Sequence, residues 1–247
     1  MHGKNFQSKQ TIIQPEVFVK EIRRQLRALA DPQIARRIRR YFKATVRAYG
    51  LRARDVHKLS REYVKKLGKS PDLNSLIKIV EQLFSSANME EGAIAIEMLR
   101  GFHYQYTPQF FRFLDKLVDK LTNWAHVDAL SLHHISRAIE DDPTVIGSIL
   151  KWTDSRNPWR RRAAAISLIP LARCGQHLDA VLSVAEKLIT DKEELVQKSV
   201  SRLLKEAMVH HPRAVGEFLL AHRDHLPHLM LKLMATFSSN RSGDRIR

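Results

Sequence analysis

The stretch Leu114–Leu130, LDKLVDKLTNWAHVDAL, decides the fold class. Its leucines recur at helical spacing up to Leu121, Thr122-Asn123 interrupts them, and a pattern of the same period restarts at Trp124. One helix ends here and another begins, with no alternating run between them that would make a strand. In the second helix Trp124 and Asp128 stand four residues apart and share a face, while Val127 turns toward the core. A flat π surface beside an anion suits a planar cation, because the indole face attracts positive charge and the carboxylate neutralises it. The same spacing also describes a core anchor next to a solvated or capping carboxylate.

Toward the N-terminus the pattern repeats. Pro15 opens a helix with Val17, Ile22, Leu26 and Leu29 at near-helical spacing and Arg23, Arg24 and Arg27 facing outward, until Asp31-Pro32 stops it. A second helix is expected over 32–50, with Ile34, Ile38, Phe42 and Val46 spaced by four and Gly50 as its C-terminal cap. A third, over 53–67, puts Val56, Leu59 and Val64 inside. Further helices are expected over 71–84, 89–102, 107–121, 124–140, 143–152, 158–174, 178–189, 192–210, 212–222 and 227–237. Thr107-Pro108, Asp142-Pro143 and Asn157-Pro158 each place a capping side chain before a first-turn proline. Helix pairs recur about every 35 to 40 residues, the period of HEAT-like repeats, whose apolar faces are buried only by stacking. The expected architecture is therefore an all-α, HEAT-like helical-repeat solenoid over 15–237, with a basic concave face and flexible ends at 1–14 and 238–247.

Composition narrows the function. The chain has 247 residues, 44% of them hydrophobic, which is enough for a continuous core. A single cysteine, Cys174, excludes an internal disulfide. Neither His133-His134 nor His210-His211 has a spacing that ligates zinc, so no metal and no cofactor are expected. Phosphate-loop, dinucleotide and nucleophile-elbow motifs are absent, and no apolar run approaches the ~20 residues of a membrane span. The expected setting is cytoplasmic.

Net charge is +16 and uneven: between Val17 and Lys69 there are 17 Lys and Arg against 4 Asp and Glu. That density repels itself unless a polyanion is the normal partner, and nucleic acid is the first candidate. Arg160, Arg161 and Arg162 fan over nearly a full turn at a helix start and form a candidate phosphate clamp. Lys198, Arg202 and Lys205 add a basic stripe on a later helix.

With those residues in view, the chain resembles the HEAT-repeat DNA alkylation-repair family, the AlkD-like DNA glycosylases. RRYFKATVRAYGL resembles the family's second helix, NWAHVDAL its catalytic helix, and KWTDSRNPWRRRAAAI the helix that brings an Arg toward the DNA backbone. LVQKSVSRLLKEA resembles the helix that follows. A monomer is expected, and the resemblance implies an enzyme that releases N3- or N7-alkylated purines from double-stranded DNA. It makes Asp128 the carboxylate that stabilises the sugar cation and Trp124 the aromatic lying against the lesioned nucleotide. Tyr41 falls on the second-helix aromatic and Arg162 on the backbone-contacting Arg. The basic residues themselves, apart from the resemblance, make Lys43, Arg47, Arg160, Arg161, Lys198, Arg202 and Lys205 further expected DNA contacts. One position departs: the family's second active-site Trp is matched by Arg202, whose guanidinium repels a cationic lesion and welcomes a phosphate. Two other readings remain, a non-catalytic binder of DNA structures and a helical-repeat adaptor for an acidic protein.

Overall fold

A computed structural model of the chain describes residues 14–42, 46–68, 72–100, 107–228 and 230–231. These residues form helices and turns, plus one isolated bridge between Arg47 and Asn88, so the all-α helical-repeat expectation holds. Lys43, most of the expected N-terminal segment and last helix, and the expected tail lie outside the described residues. The chain divides into two compact units, residues 1–38 with 47–101 and residues 39–46 with 102–247.

In the first unit α1 (Pro15–Ala28) packs on α4 (Leu73–Phe84), and α5 (Met89–Leu99) packs on both α4 and α3 (Ala53–Leu67). The buried stripe of α1 is Val19, Ile22 and Leu26, each worth about 1.5–3 kcal/mol when fully covered. Val17 and Leu29, expected on that stripe, are exposed, because Val19 supplies the inward position one turn before Ile22. On α3 the buried residues are Leu59, Ser60, Tyr63 and Leu67, and Val56 and Val64 flank them half-buried. Arg23, expected in solvent, is half-buried and donates to Glu91 and to the Gln82 carbonyl.

The largest departure from expectation is in the second helix. α2 (Pro32–Phe42) ends well before Gly50, and residues 46–50 are non-helical. The cause lies forty residues away. Glu90, buried at the start of α5, accepts the backbone N–H groups of Tyr49, Gly50 and Leu51 at 2.8–3.0 Å. Its neighbour Glu91 accepts the Tyr49 hydroxyl at 2.7 Å, and burial together with that bond pushes the phenol up to about 12. Gly50 has φ +94°, and a Cβ there would meet the Asp31 carbonyl oxygen at 2.0 Å. Only glycine fits such a turn.

The second unit runs α6 (Pro108–Val118), α7 (Trp124–Leu130), a π turn over Ser131–Ile135, α8 (Ser136–Asp141), a 3-10 turn over Pro143–Val145 and α9 (Ile146–Trp152). It continues with α10 (Pro158–Ser167), α11 (Ile169–Arg173), α12 (Leu178–Leu188), α13 (Glu194–Met208) and α14 (Pro212–Ala221). Thr107, Asp142 and Asn157 each accept a first-turn backbone N–H as their sequences suggest, and Asn123 does the same at the start of α7. The helix expected over 158–174 breaks at Leu168, two residues before Pro170, which cannot donate within a continuous helix. That expected over 124–140 is continuous but widens into the π turn at Ser131.

α10 packs on α7 to one side and on α13 to the other, so these three form one layer of the repeat. α10 carries only small or apolar residues from Ala163 to Ile166, all fully buried, which permits close approach on both sides.

Candidate functional site

The layer α7, α10 and α13 brings together three segments that the chain keeps about 35 residues apart. Asn123 starts α7: its Oδ1 accepts the His126 backbone N–H at 2.9 Å, and its Nδ2 lies 2.9 Å from His126 Nδ1. Both side chains are buried, so the first turn of α7 is held rigidly. Trp124 is therefore placed at the helix start and Asp128 one turn later on the same face.

Trp124 is half-buried and stacks on Phe42, with centroids 5.3 Å apart and planes 27° from parallel. Tyr41 meets the indole edge-on at 6.0 Å and is 68% exposed, an unusual position for a large aromatic. The three rings form a continuous aromatic surface. Tyr41 and Trp124 are both expected at the site from sequence; Phe42, expected in the core of a longer helix, is the ring that supports Trp124 from below.

Asp128 is held by Arg162 in a two-pronged pair, Nε to Oδ1 at 2.8 Å and Nη2 to Oδ2 at 2.9 Å. The third Arg162 nitrogen, Nη1, donates to the Leu195 carbonyl on α13. The Arg162 side chain is 8% exposed, so it ties α7, α10 and α13 together and does not lie open to solvent. Such a fork fixes the carboxylate plane and still leaves two of its four lone-pair directions unused. Arg202 approaches the same carboxylate, its Nη1 3.6 Å from Oδ2, with a side chain 41% exposed.

The other expected contacts separate into two groups. Arg160 bonds to Asp115 and Asp119 and lies over the Trp152 ring, and Arg161 bonds to Asp191 and to the Ser155 and Arg156 carbonyls. Both guanidiniums are mostly covered and held in their charged form, so the three successive arginines make three internal ties where a phosphate clamp was expected. Lys198 pairs with Glu194 on its own helix. Lys205 and Arg47 are exposed, and Arg47 belongs to the other unit.

The family model for DNA alkylation repair enzymes matches residues 22–233. Among solved structures, one described as a predicted DNA alkylation repair enzyme from Enterococcus faecalis is similar with a TM-score of 0.73. The two chains share 19% identity over 83% of this chain and 95% of the other, which is a likeness of fold. No curated protein matches the chain. No helix among the described residues is long and apolar enough to cross a membrane.

Proposed function

The chain belongs to the DNA alkylation repair enzyme family, and from that premise we propose that it is a monomeric glycosylase that excises cationic N3- or N7-alkylated purines from double-stranded DNA. The observation that carries this reading is the placement of Trp124 and Asp128 on one face of α7, with the carboxylate held rigid by the Arg162 fork.

A purine alkylated at N3 or N7 is positively charged, so its bond to C1′ is already weak. As that bond breaks, its electron pair goes to the base, which leaves neutral, and positive charge develops on the sugar as an oxocarbenium ion. Trp124, supported by Phe42 and flanked by Tyr41, offers the cationic base a π face. The free lone pairs of Asp128 face the developing sugar cation, and a water molecule completes the reaction by adding its oxygen to C1′ and losing a proton. Stabilisation by an oriented, immobile charge is the effect with most leverage here, because no reorganisation is needed as the bond breaks. Lys205, Arg39 and Arg40, exposed residues of the same unit as Asp128, supply backbone contacts.

Release of a methylated base from duplex DNA, identified by chromatography and lost in Asp128→Asn, tests this reading. A second reading, non-catalytic binding of DNA structures, is favoured by Arg202, a second guanidinium beside the carboxylate that Arg162 already pairs. Tight, salt-dependent duplex binding with no base released at all would select it.

A further inference from the structure

We propose that Arg202 is the residue of this cluster that holds a DNA phosphate, that Arg162 is a positioning residue, and that seating the phosphate on Arg202 frees the charge of Asp128. The inference rests on the reading that duplex DNA is bound at the Trp124–Asp128 face, and it exchanges the roles that the sequence suggests for the two arginines.

The two guanidiniums differ in how far their donors are spent. Arg162 uses Nε, Nη1 and Nη2, and the side chain is nearly covered. To reach a phosphate it would have to abandon three hydrogen bonds and leave both the Asp128 carboxylate and the Leu195 carbonyl without their partner. Arg202 touches Asp128 at 3.6 Å, an attraction of charge outside hydrogen-bonding distance. Its five N–H donors are unspent among the described residues, and its side chain is 41% exposed. Lys205, three residues on along α13, is also exposed, so the same face offers a second cation to a neighbouring phosphate.

The charges give this contact a consequence. Arg162 and Arg202 both lie near Asp128, while Glu206, the other carboxylate that Arg202 feels, is tied to Arg173, so the surroundings of Asp128 stay net positive and a cationic base meets that excess. A phosphodiester that takes the Arg202 guanidinium draws it from Oδ2 and adds its own negative charge. Asp128 then faces the sugar with one cation bound in place of two. The enzyme should therefore act on an alkylpurine flanked by an intact anionic backbone, and act poorly on an alkylated nucleoside or next to a neutral linkage.

The experiment is a salt series of undamaged-duplex binding, read by fluorescence anisotropy, for the wild type, Arg202→Gln, Arg202→Lys and Arg162→Lys, with the melting temperature of each. Arg202→Gln is expected to make the log–log salt slope shallower by about 0.9, one phosphate contact, with an unchanged melting temperature. Arg202→Lys should restore most of the slope. Arg162→Lys should keep the slope and lower the melting temperature. Single-turnover base release from a methylated duplex completes the test: one methylphosphonate at the linkage flanking the lesion should slow the wild type about tenfold or more, and should leave the rate of Arg202→Gln unaltered. An unchanged slope in Arg202→Gln, or a slope lost in Arg162→Lys instead, overturns the assignment. If no variant and no wild-type sample releases base while the Arg202→Gln slope still shifts, the glycosylase reading falls and the phosphate contact stands.

Discussion

Asp128 and Arg162 stand 34 residues apart in the chain and meet as a two-pronged ion pair, with both carboxylate oxygens within 2.9 Å of guanidinium nitrogens. The pair fixes the candidate catalytic group without exhausting it, and the most direct tests follow from that geometry.

Replacing Asp128 by Asn preserves shape and removes charge. Base release from methylated duplex is expected to fall by about 10²–10³, while affinity for the duplex changes by less than about twofold. Weakened binding with undiminished release would remove Asp128 from the chemistry.

For Arg162→Ala the expectation is a loss of about 2–3 kcal/mol in stability, since the Asp128 carboxylate, 14% exposed, and the Leu195 carbonyl lose their shared partner. Arg162→Lys keeps the charge but not the fork. It should slow single-turnover release while leaving duplex affinity intact, a split that simple unfolding would not produce. Chemical denaturation and single-turnover kinetics on the same samples measure both.

Trp124→Ala removes the ring that Phe42 stacks on and Tyr41 abuts. Stability should drop by about 1–2 kcal/mol, and discrimination between alkylated and undamaged duplex should fall by about tenfold. Trp124→Phe should recover most of the stability and part of the discrimination. Equal affinities of the wild type for the two duplexes would remove the aromatic surface from lesion recognition.

In the first unit, Gly50→Ala would place a Cβ 2.0 Å from the Asp31 carbonyl oxygen and 2.6 Å from the Ala35 nitrogen at a positive φ. The expected cost is at least about 2 kcal/mol, visible as a lower denaturation midpoint. Gly68→Ala, also at positive φ but with no atom within 4 Å of the new Cβ, should cost less. Equal midpoints would mean that the close approach at Gly50 relaxes freely.

His222 donates from Nδ1 to the Phe218 carbonyl and pairs through Nε2 with Glu186; these contacts raise its pKa above the usual 6.5. A raised folded-state value stabilises the protonated form. The contribution is complete below about pH 6.5 and disappears as pH rises through the folded value. Glu186 is exposed, which limits the effect to about 1 kcal/mol or less. Melting temperatures of the wild type and His222→Gln should converge as pH rises from about 6 to 9. A constant difference over that range would show that the ion pair does not titrate as described.

The local features of this protein are legible in its sequence, because helical period, capping residues and proline act over a few residues. Thr107, Asp142 and Asn157 cap their helices as the sequence suggests, and Trp124 and Asp128 share a face because four residues make about one turn. A pair of buried carboxylates in MEEGAIAIEML was the available signal for the early end of α2, since Glu90 and Glu91 in so apolar a segment require partners.

The helical class, the repeat and the candidate pair on α7 depend on neighbours along the chain and are readable there. Which cation faces which anion depends instead on how distant helices stack. Arg160, Arg161 and Arg162 are consecutive and chemically identical, yet packing gives them Asp115 and Asp119, Asp191, and Asp128 in turn. Each successive residue of a helix turns by about 100°, so three adjacent side chains enter three different environments, and the partner found in each is set by stacking of helices remote in sequence. The same stacking covers Arg162 and leaves Arg202 half-exposed beside one carboxylate.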